Sequence, residues 1–220
     1  MDRTDKPLPG PAERGGQSRA ARGRPVDQEL TRRLQDAVLD LLAEEGLSAC
    51  NADKVATRAH AGKAGIYRRW PTVPALIRGA MGDVRLVAVP DEQGSLRADL
   101  FALLTPWTRP LTRDERAAAA LFSGARDSME LRQALVGALM VPLEQALTEL
   151  FSREASRGKP VVGSRVRLTT MLVQALWWNR GVSHAPPMTA NDVWSLIDEA
   201  LLPTGPEETH PCPEDGHHTG

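Results

Sequence analysis

Residues 51–70 read NADKVATRAHAGKAGIYRRW. The first eight predict a short helix: Asn51 is placed to cap it, and Ala52, Val55, Ala56 and Ala59 recur on one face. A turn follows at His60–Gly62, then a second short helix from Lys63 to Trp70. Pro71 stops that helix, because proline disfavours helical geometry in the residue before it. Two short helices joined by a tight turn are what a helix-turn-helix requires. The second must enter a DNA major groove about 12 Å wide, so its exposed face has to be small, polar or basic. Lys63, Ala64, Gly65, Tyr67 and Arg68 meet that condition, while Ile66 and Trp70, four apart, anchor the opposite face to a small core.

Charge supports the reading locally and not globally. The 220-residue chain carries 27 Lys+Arg and 28 Asp+Glu, a formal net charge of -1. Residues 1–85 nevertheless hold 15 basic and 11 acidic side chains, and residues 51–85 hold seven against two. That local excess is the electrostatic footprint that phosphate attracts. Two cysteines, Cys50 and Cys212, cannot make a disulfide framework, which favours a reducing, cytoplasmic setting. No signal peptide is visible, and the longest apolar stretch, Ala134 to Leu143, falls short of the roughly 18–20 residues of a bilayer crossing.

Outward from residues 51–70, helical periodicity dominates. Leu30, Leu34, Val38, Leu41 and Leu42 form the stripe of a first helix, with Asp27 placed to cap it and Gly46 to end it. Thr72 caps a helix presenting Leu76, Ile77, Ala80, Met81 and Val84. Ser95 opens another, running to about Arg109, and Thr112–Glu115 has capping-box spacing. A long helix is predicted from Ser128 to Ala155; Pro142 within it removes a backbone bond and leaves the Ala138 carbonyl exposed. Val161–Arg180 and Thr189–Leu202 complete an all-α chain of about nine helices. Gly and Pro concentrate in residues 1–25 and 203–220, so both ends read as disordered arms.

The stretch Val55-Ala56, Arg58-Ala59 and then Lys63-Ala64-Gly65-Ile66-Tyr67-Arg68-Arg69-Trp70-Pro71 resembles the DNA-binding signature of TetR-type transcriptional regulators. The match is strongest from Asp27 to Met81. It implies a helix-turn-helix domain over 26–71 and a helical regulatory and dimerisation domain over 72–202. Residue by residue, it places Asn51 beside a phosphate, where the family usually has threonine, and Arg58 and Arg69 near backbone phosphates. Lys63 falls where phosphate or base contact is expected, the Tyr67 hydroxyl meets a phosphate, and Arg68 reaches a base edge or the backbone. Three departures stand out: His60 replaces a usual glycine, Gly62 a usual serine and Val73 a usual lysine. Arg22 and Arg24 lie in the arm before the first helix, which is either a phosphate or minor-groove contact or an inert tail.

The same resemblance implies a ligand cavity enclosed by the fourth to eighth helices. Phe101, Trp107, Phe122, Met140, Trp177 and Trp178 are bulky candidates for its wall, and Arg126 and Gln174 are candidate polar partners; ordinary core is the competing reading. Leu168, Leu172, Ala175, Leu176, Trp194, Ile197 and Leu201 form more apolar faces than one small bundle easily hides. The resemblance assigns them to a homodimer interface, with intrachain core as the alternative. The expected partners are thus a double-stranded operator, a second copy and a small-molecule inducer, with no membrane. His210, Cys212, His217 and His218 lack flanking structure to fix a metal site, so no metal or cofactor is expected. No catalytic motif stands out, and an enzyme is not expected. The functional expectation is a ligand-responsive regulator, a repressor released from a pseudo-palindromic operator by a small molecule; the alternative is a helical small-molecule-binding protein that no longer controls DNA.

Overall fold

Leu34, Val38, Leu41 and Leu42 are all buried along α1 (Arg24–Glu45), as their spacing requires. The structure, a computed structural model, describes residues 24–183 and 186–202. Arg22 and the tail residues His210, Cys212, His217 and His218 lie outside the described residues, as does the side chain of Arg24. α1 begins at Arg24, three residues before the expected cap at Asp27, because Pro25 suits a first helical turn whose N–H groups have no intrahelical partner. It ends at Gly46, whose φ of +81° is open to glycine at little cost.

α2 (Ala52–Arg58) is capped by Asn51, whose side chain accepts from the Lys54 N–H at 3.0 Å. α3 (Lys63–Tyr67) is shorter than predicted; Arg68 to Trp70 close it as a turn, with the Trp70 N–H on the Ile66 carbonyl. Thr72 caps α4 (Val73–Met81), and Ser95 caps α5 (Leu96–Leu104). Pro106 breaks the predicted continuation of α5, which ends in a 3-10 turn over Thr105–Thr108. The Thr112/Glu115 capping box opens α6 (Arg113–Ala120) with both of its bonds formed. Then come α7 (Met129–Leu135), α8 (Val141–Ser156), α9 (Gly163–Val182) and α10 (Ala190–Ser195), the last extended by a π-helical turn, Leu196–Leu201.

α7 and α8 form one rod, joined by a π-helical stretch at Val136–Met140. Pro142 has no N–H to give Ala138. The freed carbonyl accepts instead from Leu86, at 2.9 Å, in the strap that leaves α4. This rod, Met129–Ser156, is long and apolar enough to cross a membrane by length and composition. Its Leu131, Leu135, Leu139, Leu143, Leu147 and Leu150 are buried among the other helices, as in a core helix. Among the described residues there is no strand.

One hydrophobic core runs from Leu34 and Val55 near the turn to Ile197 and Leu201 in α10. α1 packs on α2 at one end and on α4 and α6 along its length, so the small N-terminal bundle is built onto the larger one. Cys50 belongs to this core; burial pushes its thiol up to about 11, keeping it neutral.

Candidate nucleic-acid interface and ligand cavity

The small bundle orients α3 by its apolar side. Ile66 is fully buried, and Trp70 lies so close to α4 that a Cβ on Gly79 would come within 2.5 Å of its Nε1. Only a residue without a side chain fits there. Gly65 is also buried, its missing Cβ pointing at Leu30 at 3.8 Å. Sequence alone places it on the outward face; it lies one step round the helix, on the side turned to α1, where a Cβ would meet Leu30 in ordinary contact. Arg69 is likewise turned inward. Its Nε donates to the Thr31 hydroxyl at 3.1 Å and its Nη1 to the Gly65 carbonyl at 2.8 Å, tying α3 to α1 rather than pointing at a phosphate.

What remains outward is Lys63, Ala64, Tyr67 and Arg68, with Tyr67 52% exposed. Small, aromatic and cationic groups thus share one projecting surface. Several cations of this bundle are held by carboxylates of the same chain. Asp53 hydrogen-bonds Lys63 and raises its pKa; Glu44 does the same for Arg58 at 2.7 Å. Lys54 pairs with Glu45, whose carboxyl it holds below the ordinary value. Asn51 stays exposed beside them while capping α2. At the turn, His60 sits at φ +49°, the left-handed region in which a glycine is unstrained. Arg33 steadies this loop by donating to the carbonyls of Ala59 and His60.

A second candidate site lies between α7 and α9. A cavity of about 470 Å³ is lined by Phe122, Arg132, Leu135, Val136, Met140, Met171, Gln174 and Trp178, with Ala125 and Ala175. The structure therefore brings together Phe122, Met140, Gln174 and Trp178 of the expected wall. Phe122 and Trp178 stack with centroids 3.8 Å apart. The other candidates go elsewhere. Trp107 and Trp177 are buried around a smaller cavity of about 220 Å³ that also meets Glu115 and the strap residues Leu86 to Pro90. Phe101 stacks on Trp194 at 4.0 Å, so both rings are spent docking α10 onto α5, reinforced by Arg97, which lies over the Trp194 ring and donates two hydrogen bonds to the Asp198 carboxylate. Arg126 keeps an exposed side chain outside the wall of the larger cavity, and only its carbonyl is used, by Arg132 at 3.0 Å.

The residues expected at a homodimer interface also divide. Leu168, Leu172 and Ala175 are exposed on α9, in line with exposed Met171, Trp178 and Val182. Leu176 is half-buried. Ile197 and Leu201 are fully buried in the chain's own core, because α10 turns its apolar side inward; they are not available to a partner, and Trp194 is held by Phe101. Two groups escaped the sequence reading. Arg132, Leu135 and Val136 line the cavity, and the nearest sequence signal is Pro142, which stands just beyond the π-helical stretch that begins at Val136. Glu115, read only as a cap, is a buried carboxylate gripped by Arg109 at 2.7 Å and Arg180 at 3.3 Å. Burial opposes its ionisation, but Arg109, the Thr112 N–H and Arg180 together outweigh burial and hold its pKa below the usual value. Among the described residues no cluster of metal-ligating side chains is assembled.

The family model described as the tetracyclin repressor-like C-terminal domain matches residues 89–200, half of the chain. The chain belongs to the TetR family. It is similar to an uncharacterized HTH-type transcriptional regulator of Mycobacterium bovis, 28% identical over 169 residues, which cover 76% of this chain and 83% of that protein. The solved TetR family transcription regulator SCO0332 shares the fold with a TM-score of 0.56 at 24% identity, covering 79% of this chain and 97% of that one. The transcriptional regulator FadR of Bacillus subtilis, solved in complex with stearoyl-CoA, does so with a TM-score of 0.53 at 16% identity, over 75% and 96%. TetR family members are DNA-binding transcriptional regulators and not enzymes, and this chain shares their all-helical architecture.

Proposed function

We propose that this TetR family protein is a cytoplasmic, homodimeric repressor that leaves a pseudo-palindromic operator when a small molecule binds. The observation that carries the reading is the outward face of α3. Lys63, Ala64, Tyr67 and Arg68 project together while Gly65 and Ile66 are buried, so a rigid, small-profiled, cationic helix is offered to a groove. Two copies related by a twofold axis would read two half-sites from one side of the duplex. The exposed Leu168, Met171, Leu172, Ala175 and Val182 on α9 support self-association, since a continuous apolar helix face favours a partner. The apolar cavity between α7 and α9, with Gln174 and Arg132 as its polar points, supports a small effector. FadR, a fold neighbour, holds an acyl-CoA.

The test is anisotropy of labelled DNA from upstream of the protein's own gene, with nonspecific competitor, at two salt concentrations. Tyr67→Ala and Arg68→Ala each weaken binding on the order of tenfold while leaving the circular dichroism spectrum unchanged. Equal binding by both variants overturns the assignment of α3. A second reading, a helical binding protein without DNA control, is favoured by the self-pairing of Lys63, Arg58 and Lys54 and by Val73 in place of a lysine. Under that reading wild type binds only weakly and loses binding with salt as bare phosphate attraction does.

A further inference from the structure

We propose that the π-helical stretch Val136–Met140 is the coupling between the larger cavity and α4, acting through the single bond from the Leu86 N–H to the Ala138 carbonyl. This rests on the reading of that cavity as an effector site. The stretch belongs to both structures at once. Leu135, Val136 and Met140 are cavity wall. Ala138, between them, is fully buried and accepts from Leu86 at 2.9 Å. Leu86 lies five residues beyond the end of α4, the helix on which Trp70 and hence α3 are seated through Gly79.

The arrangement exists because of Pro142. In a regular helix residue 142 would donate to the Ala138 carbonyl; proline cannot, and the backbone widens, the Val141 N–H bonding back five residues to Val136. The carbonyl is therefore offered sideways to the strap. The far end of the strap is fixed to the body: Arg153 holds the Pro90 carbonyl at 2.9 Å, Arg157 holds Glu92 at 2.6 Å, and the Gln93 N–H donates to buried Asp99 at 2.7 Å. With that end clamped, a displacement at Leu86 passes toward α4. Arg78 of α4 also meets Gln133 of α7 at 3.2 Å, so the two helices have a further polar contact that depends on where the rod lies.

A ligand shifts an equilibrium only through different affinity for its two states. The Leu86 N–H bonds the carbonyl of Ala138 between the cavity-wall residues Val136 and Met140. A molecule packed against those two side chains presses on the widened backbone that presents this carbonyl, and the arrangement it favours is one in which the bond is weakened and the strap is released.

The experiment uses the full-length protein with 1-anilinonaphthalene-8-sulfonate as the probe and hydrogen exchange of the Leu86 amide as the readout. Binding is followed by probe fluorescence, and Ala125→Trp, which fills the cavity from a position outside the exposed α9 face, abolishes it. In wild type the probe accelerates exchange at Leu86 at least tenfold. In Pro142→Ala, where an N–H again competes for the Ala138 carbonyl, exchange is already fast and the probe no longer changes it, although the probe still binds. Probe binding that leaves the Leu86 amide unchanged in wild type overturns the coupling while the cavity reading stands. No binding, or binding untouched by Ala125→Trp, removes the cavity reading and the coupling with it. A Pro142→Ala protein that responds as wild type does also overturns the coupling, and its unchanged thermal unfolding would show that misfolding is not the cause.

Discussion

Among the described residues, His60 is the only non-glycine residue with a positive φ, and its place in the turn makes that strain consequential. At φ +49° a side chain costs about 1 kcal/mol relative to glycine. His60→Gly is therefore expected to raise the thermal midpoint by about 2–4 °C, measured by differential scanning calorimetry; a lower midpoint would mean that the imidazole contributes more than its backbone strain removes. Gly79 is the opposite case. Gly79→Ala forces Trp70 off α4 and destabilises by about 1–3 kcal/mol, readable as a shift in tryptophan emission and in the urea midpoint. Asp53 governs a third outcome. It holds Lys63, so Asp53→Asn releases a cation toward phosphate and removes a like charge from the groove. DNA affinity is expected to tighten by about threefold, with the gain shrinking at high salt.

Among the elements, α6 shows how a local signal carries a tertiary one. The Thr112–Glu115 capping box is readable as a spacing, and it forms. The same Glu115 carboxylate also joins α6 to α9 through Arg180. Because its folded pKa lies below the ordinary 4.5, this contribution is fully present above that value and is lost as pH falls through the folded pKa. Glu115→Gln is expected to cost about 2 kcal/mol at neutral pH and to flatten the acid limb of the stability profile below pH 4.5 in urea titrations. A profile that parallels wild type would show that Glu115 is ionised to the same extent in both states. The rod of α7 and α8 makes a related point. Pro142 was legible as the loss of a bond to Ala138; that Leu86 would supply the replacement was not, because those residues lie 52 positions apart.

For the whole molecule the decisive surface is α9. Leu168 is 53% exposed and Met171 64%, whereas Ile197 and Leu201 of α10 are fully buried. A partner is therefore expected on α9. Leu172→Glu, on the exposed side, should convert a dimer to a monomer in sedimentation velocity and lower operator affinity while leaving helicity intact. A variant that stays dimeric would move the interface elsewhere. The continuity of the core from the small bundle to α10 gives this surface its reach, since packed elements move as units and not as independent side chains.

Periodicity and caps alone determined the helical class, the element order and the starts of α2, α4, α5, α6, α7 and α10. Those features depend on residues within four positions of one another, and local geometry reports them faithfully. The outward placement of Lys63, Tyr67 and Arg68 was legible for the same reason. Tertiary structure alone decided that Gly65 and Arg69 face α1, that Phe101 and Trp194 spend their rings on each other, and that Pro142 speaks to Leu86. An apolar or basic side chain carries no record of which of several distant partners it will meet. Only the packing of whole helices, each with one face to bury, makes that choice.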